Sequence, residues 1–234
     1  MTPRRRPSPN HNARSVAVTM LVLHYTGMKT AAEAIDRLCD PAAKVSAHYV
    51  VEEDGTVWQL VEESERAWHA GESFWQGTRD VNGASIGIEI VNPGHDWGYR
   101  PFPEPQMAAV ETLARGILGR HPIPPDRVVG HSDIAPRRKQ DPGELFDWPR
   151  LARAGVGFWP APAAPAASLT SAEVLRLLRQ IGYEAPDGDD TLRLTLIAFQ
   201  RRFRPSRCDG ALDGGTAAAL VAAAQAVAAL QAGR

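Results

Sequence analysis

Three short stretches of this chain contain the residue types that build a hydrolytic metal site. They are LVLHYTG at 21–27, SIGIEIVN at 85–92 and GHSDIAPRRKQDPG at 130–143. His24 and His131 each follow an apolar run, so we expect each imidazole at the end of a buried strand. Asp141 precedes Pro-Gly in a loop that can present its carboxylate inward. Two imidazoles and one carboxylate leave a tetrahedral Zn²⁺ with one open position, which is typical of catalytic zinc.

A second carboxylate and a lysine complete the candidate chemistry. Alternation along SIGIEI places Glu89 on the face opposite the three isoleucines, so one carboxylate projects from an apolar strand. Burial raises the pKa of an unpaired carboxylate, which suits a general base that accepts a proton from water and passes it to a leaving amine. Lys139 lies two residues before Asp141 and would stabilise an oxyanion on a substrate carbonyl.

Each of these residues, taken singly, has a simpler interpretation. A histidine at a strand end is more often a packed, hydrogen-bonded residue than a ligand, and Asp141 before Pro-Gly is typical of a turn. Glu89 would also suit an edge strand that faces water. Lys139 belongs to an Arg-Arg-Lys run of the kind usually found in a solvated charge cluster. The combination is much more specific than any one member.

Five motifs carry a resemblance to a known family. In chain order they are HYTG, SAHYVVEEDGTVWQLV, AWHAG, SIGIEI and GHSDIAPRRKQDPG. Together they resemble the zinc-dependent N-acetylmuramoyl-L-alanine amidases of the type 2 amidase family, and most of all its AmiD-like and AmpD-like bacterial members. That family shares its fold with peptidoglycan recognition proteins and phage lysozyme amidases. The resemblance therefore implies an α/β fold with a mixed central sheet covered by helices.

The resemblance also implies a role for each of the five residues. The metal ligands fall on His24, His131 and Asp141, which would hold one Zn²⁺ per chain. The catalytic pair falls on Glu89 and Lys139. The implied reaction is hydrolysis of the amide between N-acetylmuramic acid, including its anhydro form, and L-alanine of the stem peptide. Because every position carries the expected residue type, a binding-only member is the less favoured interpretation.

Further candidates rest on weaker signals. Trp68 and His69 match a family motif at the border of the substrate groove, although packing beneath the site explains them nearly as well. Arg79 and Asn82 precede the glutamate strand, where the family tends to contact peptide carboxylates, but a solvated arginine and a turn asparagine are equally typical there. His48 suits a residue that orients a ligand or the substrate from behind the metal.

Composition bounds the remaining function classes. The 234 residues carry 26 basic and 27 acidic side chains, and this balance does not indicate a nucleic-acid partner. Cys39 and Cys208 are isolated, so neither a disulfide framework nor a thiol nucleophile is expected. A hydrophobic content of 44% is typical of a soluble protein with a sizeable core. The expected partner is a muropeptide or peptidoglycan fragment, with no membrane and no obligate protein partner.

The chain divides by composition into four parts. We expect a polar leader at 1–14, the catalytic domain at 15–156, a Pro/Ala linker at 157–167 and a small three-helix bundle at 168–234. The bundle resembles the peptidoglycan-binding domains appended to wall amidases, or else it only packs against the catalytic domain. Periodicity predicts further elements: strands at 16–24 and 85–90, helices at 29–39 and 103–121, a hairpin turning at Asp54-Gly55, and a short strand before His131.

The N-terminus bears on location. MTPRRRP followed by VAVTMLVL looks like the start of an export signal, but cleavage after that stretch would remove the strand that positions His24. We therefore expect a cytoplasmic enzyme that trims muropeptides during peptidoglycan recycling. The alternatives are an exported amidase that cleaves sacculi in the periplasm or wall and, less favoured, a non-catalytic wall-binding module.

Overall fold

The protein is built around a six-stranded mixed sheet. The structure, a computed structural model, describes residues 2–161, 168–186 and 189–234. The strands, in chain order, are β1 (Arg4–Arg5), β2 (His11–Ala13), β3 (Met20–Tyr25), β4 (Tyr49–Val51), β5 (Val57–Gln59), β6 (Glu65–Ala67), β7 (Ser85–Ile90) and β8 (Val128–Gly130). The main sheet has the order β1-β5-β4-β7-β3-β8, while β2 and β6 form a separate antiparallel pair.

The middle of the sheet brings the candidate site residues to one edge. β3 pairs in parallel with both β7 and β8, so the carboxyl ends of the three strands point the same way. The register sets His24 beside Glu89, and His131 follows directly on β8. The predicted hairpin is confirmed, because β4 and β5 pair antiparallel around the Asp54-Gly55 turn. Buried parallel strands explain why these segments are nearly continuous apolar runs.

Helices cover both faces of the sheet. They are α1 (Ala31–Cys39), α2 (Val81–Ala84), α3 (Gly94–Trp97), α4 (Glu104–Arg120), α5 (His131–Ile134), α6 (Trp148–Arg153), α7 (Ser171–Ile181), α8 (Asp189–Phe203) and α9 (Gly214–Ala232). The long helix α4 packs its apolar side on Ile86, Ile88 and Ile90 of β7. Met20 and Val22 of β3 face the other way, into a core that they share with α7, α8 and α9. The predicted α/β fold with a C-terminal helical region is confirmed.

The segment interpreted as a leader is part of the folded structure. β1 pairs in parallel with β5, and β2 pairs with β6. Arg14, directly after β2, donates hydrogen bonds to backbone carbonyls that include those of Glu65 and Ser85. Residues 4–14 therefore extend the fold of the catalytic region, which the polar sequence did not indicate.

The C-terminal helices pack on the sheet as well as on each other. Thr170 is the N-cap of α7 and forms a capping box with Glu173. Among the described helices, α9 alone is long and apolar enough to span a membrane by length and composition. Its residues Leu220, Ala223 and Val227 are buried in the core that it shares with α7. Of the predicted linker at 157–167, residues 162–167 lie outside the described part of the chain.

Candidate metal centre and active site

His24, His131 and Asp141 converge on one buried point. His24 is the penultimate residue of β3, His131 begins α5 directly after β8, and Asp141 lies in the loop that follows. The Nδ1 atoms of the two histidines are 2.9 Å apart, and Asp141 Oδ2 lies 3.1 Å from His24 Nδ1 and 3.0 Å from His131 Nδ1. The potential ligand atoms all lie within 4.8 Å of one another. This group could hold a metal ion.

The electrostatics of the group favour the protonation states that bind a cation. Burial lowers the pKa of His24 to about 4, and repulsion from His131 adds to the effect, so the His24 imidazole is neutral at pH 7. Burial alone would raise the pKa of Asp141, but His131 and His24 hold it well below its ordinary value. A neutral imidazole and an ionised carboxylate are the states that a metal ion requires of its ligands.

A cavity of about 370 Å³ opens onto this group. Glu89, His131, Lys139 and Asp141 all line it. Glu89 Oε2 is buried and has no hydrogen-bond partner among the described residues. Burial raises the pKa of Glu89 well above its ordinary value, and the nearby Asp141 carboxylate raises it further. A carboxylate with a raised pKa is a stronger proton acceptor than an ordinary glutamate, as a general base requires.

The Nε2 atoms of His24 and His131, which face away from Asp141, also have hydrogen-bond partners. His24 Nε2 lies 3.0 Å from Nδ1 of His69, and His131 Nε2 lies 3.1 Å from the carbonyl oxygen of Ala70. His69 is 8% exposed, and burial lowers its pKa well below the ordinary value, so this ring is neutral. The sequence indicated His69 only as a groove residue. The structure places it both on the cavity wall and behind a metal-ligand candidate.

The weaker candidates from the sequence fall in different places. Trp68 lines the cavity and donates a hydrogen bond from its indole nitrogen to Asn12. His48 accepts a hydrogen bond from the backbone N–H of Gly87 and lies 3.1 Å from the Glu65 carbonyl oxygen. Its Nε2 atom also lies 3.0 Å from the Arg14 guanidinium, so the polar contacts of His48 go to the backbone and to Arg14 rather than to a metal-ligand candidate. Burial lowers the pKa of His48 to about 3.

Arg79 and Asn82 do not contribute to the cavity. The Arg79 guanidinium pairs with Glu184 at 2.9 Å on the surface, and its side chain is 71% exposed. Asn82 is buried, and its Oδ1 accepts hydrogen bonds from the backbone N–H groups of His69 and Ala70. Asn82 thus supports the backbone beneath the cavity wall. The loop position of these residues in the sequence did not distinguish a supporting role from a binding role.

Tyr25 and Arg37 are among the cavity residues that lacked a sequence-based prediction. Tyr25 directly follows His24 and lines the cavity. Its hydroxyl oxygen lies 2.9 Å from Nδ1 of His95. Arg37, in the last turn of α1, also borders the cavity. The HYT motif could have indicated Tyr25, since the residue that follows a ligand at a strand end lies close to the site. Arg37 carried no local signal, because charged residues in the last turn of a helix are common.

The family profile described as N-acetylmuramoyl-L-alanine amidase matches residues 14–144, which is more than half of the chain. This chain belongs to that amidase family. Among curated relatives of this amidase, AmiD of Escherichia coli is 39% identical over 224 residues, covering 86% of this chain and 80% of AmiD. AmpD of Enterobacter cloacae, a 1,6-anhydro-N-acetylmuramyl-L-alanine amidase, is 37% identical over 167 residues, covering 63% of this chain and 87% of AmpD.

Solved structures of the family resemble this amidase over most of its length. AmiD from E. coli, in complex with the substrate anhydro-N-acetylmuramic acid-L-Ala-D-γ-Glu-L-Lys, matches with a TM-score of 0.82 and 37% identity, covering 92% of each chain. AmpDh3 from Pseudomonas aeruginosa matches with a TM-score of 0.83 and 37% identity, covering 89% of this chain and 92% of that chain. Since these matches exceed the 14–144 region, they include the C-terminal helices.

Proposed function

We propose that this protein is a zinc-dependent amidase that cleaves the bond between N-acetylmuramic acid and L-alanine of the stem peptide. The observation that carries the proposal is the convergence of His24, His131 and Asp141 within 4.8 Å, beside the unpartnered buried oxygen of Glu89. Membership of the amidase family supports this reading of the geometry. The anhydro form of the sugar is included because relatives are named for it or were solved with it.

The donor set fits a zinc ion. Two imidazole nitrogens and one carboxylate oxygen, all buried, match the usual ligands of a catalytic zinc and leave one tetrahedral position open. In the proposal His24 and His131 bind through Nδ1, because these are the atoms that face Asp141. When bound, zinc supplies Lewis acidity that polarises the scissile carbonyl and lowers the pKa of water.

The remaining chemistry belongs to side chains of this chain. Glu89 accepts a proton from the attacking water and returns it to the nitrogen of the leaving L-alanine, which balances the hydrolysis. Its raised pKa makes this carboxylate a stronger proton acceptor than an ordinary glutamate. Lys139 is half-buried on the cavity wall, where its ammonium group stabilises negative charge that develops on the carbonyl oxygen.

The cavity wall carries cationic side chains that suit the carboxylates of a substrate. Arg37, Arg138 and Lys139 line the wall, together with the carboxyl groups of Glu89, Asp96 and Asp141. A muropeptide carries carboxylates on its stem peptide, and these attract guanidinium and ammonium groups. The AmiD and AmpDh3 structures with anhydromuramyl peptides support this substrate class for the present chain.

We further propose that the enzyme acts on soluble muropeptides in cytoplasmic recycling. The support is that AmpD of Enterobacter cloacae is named for an anhydro-muramyl substrate and that AmiD and AmpDh3 were solved with soluble anhydromuramyl peptides. Release of peptide from sacculi but not from soluble anhydro-muropeptides would instead favour the exported amidase.

Peptide release, followed by mass spectrometry, tests the proposed reaction. The zinc-loaded protein should release the stem peptide from anhydro-N-acetylmuramyl peptide. Glu89→Gln should retain zinc but lose at least about a hundredfold in kcat, because the general base is gone. Asp141→Ala should lose both zinc and activity, whereas Glu62→Gln, on the exposed surface, should keep both. Near-normal turnover by Glu89→Gln would contradict the assigned role, and no release by the zinc-loaded protein would favour a binding module.

A further inference from the structure

A line of hydrogen bonds runs from the candidate ligand His24 into the protein interior. His24 Nε2 lies 3.0 Å from His69 Nδ1, and His69 Nε2 lies 3.2 Å from the hydroxyl oxygen of Ser85. The Ser85 hydroxyl in turn donates to the carbonyl oxygen of Val81 at 2.5 Å. His24, His69 and Ser85 are all buried, so water does not compete for these contacts.

The direction of every bond in this line follows from its far end. A carbonyl oxygen can only accept, so the Ser85 hydroxyl donates its hydrogen bond to Val81. The Ser85 oxygen then accepts a hydrogen bond from His69 Nε2–H. A neutral imidazole that donates from Nε2 carries no proton on Nδ1. His69 Nδ1 therefore accepts the Nε2–H of His24. The tautomer of His24 is thereby fixed with a free lone pair on Nδ1, the atom that faces His131 and Asp141.

The backbone beside His69 serves the second histidine in the same way. The Ala70 carbonyl oxygen accepts from His131 Nε2–H, which leaves His131 Nδ1 free on the side of Asp141. Asn82 Oδ1 holds the segment in place, since it accepts from the backbone N–H groups of both His69 and Ala70 at 2.9 Å and 2.8 Å. One two-residue segment thus contacts the Nε2 atoms of both candidate ligands.

The strand behind His69 leaves space for its ring. A Cβ atom on Gly87 of β7 would lie 2.6 Å from Cγ of His69. Only glycine therefore allows the imidazole to lie this close to the strand. The position of the ring is fixed by packing as well as by hydrogen bonds.

We propose that His69 is a positioning residue for the metal centre. It fixes the tautomer and the ring orientation of His24, so that Nδ1 is ready to bind zinc, and Asn82 holds it there. This inference rests on the proposed zinc-dependent function and deepens it. This role differs from simply lining the cavity, because a residue that only contacted the substrate would not need the hydrogen bond to His24.

Zinc affinity without substrate tests the proposal. His69→Phe keeps an aromatic ring but removes the acceptor, so we expect the zinc Kd, measured by competition with a chromophoric chelator, to rise about 10-fold to 100-fold. His69→Asn places an acceptor on Cγ, where Nδ1 is attached in histidine, and should restore most of the affinity. Trp68→Phe is the matched control, because Trp68 lines the same cavity but donates to Asn12 instead. Its zinc Kd should stay at the wild-type value.

A second variant keeps the test decisive if His69→Phe fails to fold. Gly87→Ala displaces the ring without changing its chemistry, and it should also weaken zinc binding. Wild-type zinc affinity in folded His69→Phe or folded Gly87→Ala would overturn the positioning role. Zinc binding by the wild-type protein without muropeptide cleavage would instead refute the proposed amidase activity and leave the positioning of His24 supported by the affinities.

Discussion

Arg202 of α8 donates a hydrogen bond of 2.7 Å to Asp133 of α5, inside the protein. The two side chains are only 2% and 1% exposed. Asp133 also accepts from the Tyr183 hydroxyl at 2.6 Å and from the backbone N–H of Gly130 at 2.8 Å. Since α5 begins with His131, the C-terminal helices hold the turn that carries a metal-ligand candidate.

Removing the guanidinium should destabilise the whole protein. Arg202→Met leaves the Asp133 carboxylate buried without its counter-charge, which costs roughly 3–5 kcal/mol when one partner of a buried pair is lost. Denaturant unfolding followed by circular dichroism measures the change. Arg193→Met, at an exposed position of the same helix, is the control and should have little effect. Equal stability of the two variants would show that the ion pair does not stabilise the fold.

The pH dependence of turnover should report on Glu89. Its pKa is raised, and the base must be ionised to act, so activity should fall as the pH drops through a value above the ordinary pKa of a glutamate. The neighbouring positive charge of Lys139 lowers this pKa. Lys139→Met should therefore move the acidic limb of the kcat profile to still higher pH, in addition to slowing turnover. An acidic limb that stays in place would show that a different group controls it.

Acid stability should depend on a second glutamate, Glu63, which is not among the residues that line the cavity. Glu63 accepts hydrogen bonds from Arg120 at 2.7 Å, from His121 at 2.8 Å and from Tyr49 at 2.8 Å. Burial alone would raise the pKa of Glu63, but these bonds lower it to about 2. A lowered pKa means that the stabilisation is complete above the unfolded value of about 4.5 and is lost as the pH falls toward about 2.

The variant Glu63→Gln separates this contribution from general acid denaturation. We expect it to be less stable than the wild type by roughly 2 kcal/mol at pH 7, the scale of hydrogen bonds to a charged group. The difference should shrink when thermal melts are repeated between pH 4.5 and pH 2. Glu62→Gln is the neighbouring control, because Glu62 is exposed. A difference that does not change with pH would contradict the assignment.

The loop that carries Asp141 depends on a glycine. Gly143 has a φ of +87°, and a Cβ there would lie 2.3 Å from the Tyr99 hydroxyl. That hydroxyl donates to the Pro142 carbonyl and accepts from the Leu145 N–H, so it braces the loop. Gly143→Ala should cost roughly 1–3 kcal/mol in unfolding free energy and weaken zinc binding. Gly98→Ala also has positive φ but meets open space, so only its stability should change.

The sequence predicted the elements whose pattern is long or strongly periodic. The alternation in SIGIEI correctly separated Glu89 from the isoleucines, and the apolar run before His24 correctly indicated a central strand. The strands β1 and β2 were missed, because two or three polar residues have no apolar alternation. Their pairing with β5 and β6 is a property of the folded sheet.

In the candidate site, too, local motifs could be predicted from the sequence, whereas contacts between distant residues could not. His24, His131 and Asp141 could be predicted as metal-ligand candidates because each stands in a distinctive motif, and the structure brings their side chains together. The contact between His69 and His24 joins positions 45 residues apart, and local sequence does not report such contacts. Gly87 was the overlooked signal, since a glycine inside a strand often marks the close approach of another group.

The shared core of the sheet and the C-terminal helices limits how the protein can be rearranged. Met20 and Val129 of the sheet lie in one apolar cluster with Phe199 and Leu220 of the helices, so neither part has a complete hydrophobic surface of its own. Recombination that exchanged these helices for an unrelated domain would leave that cluster open to water. It would also leave Asp133 without Arg202. The C-terminal helices, although they resemble a separate appended domain in sequence, are therefore subject to the same packing constraints as the catalytic region.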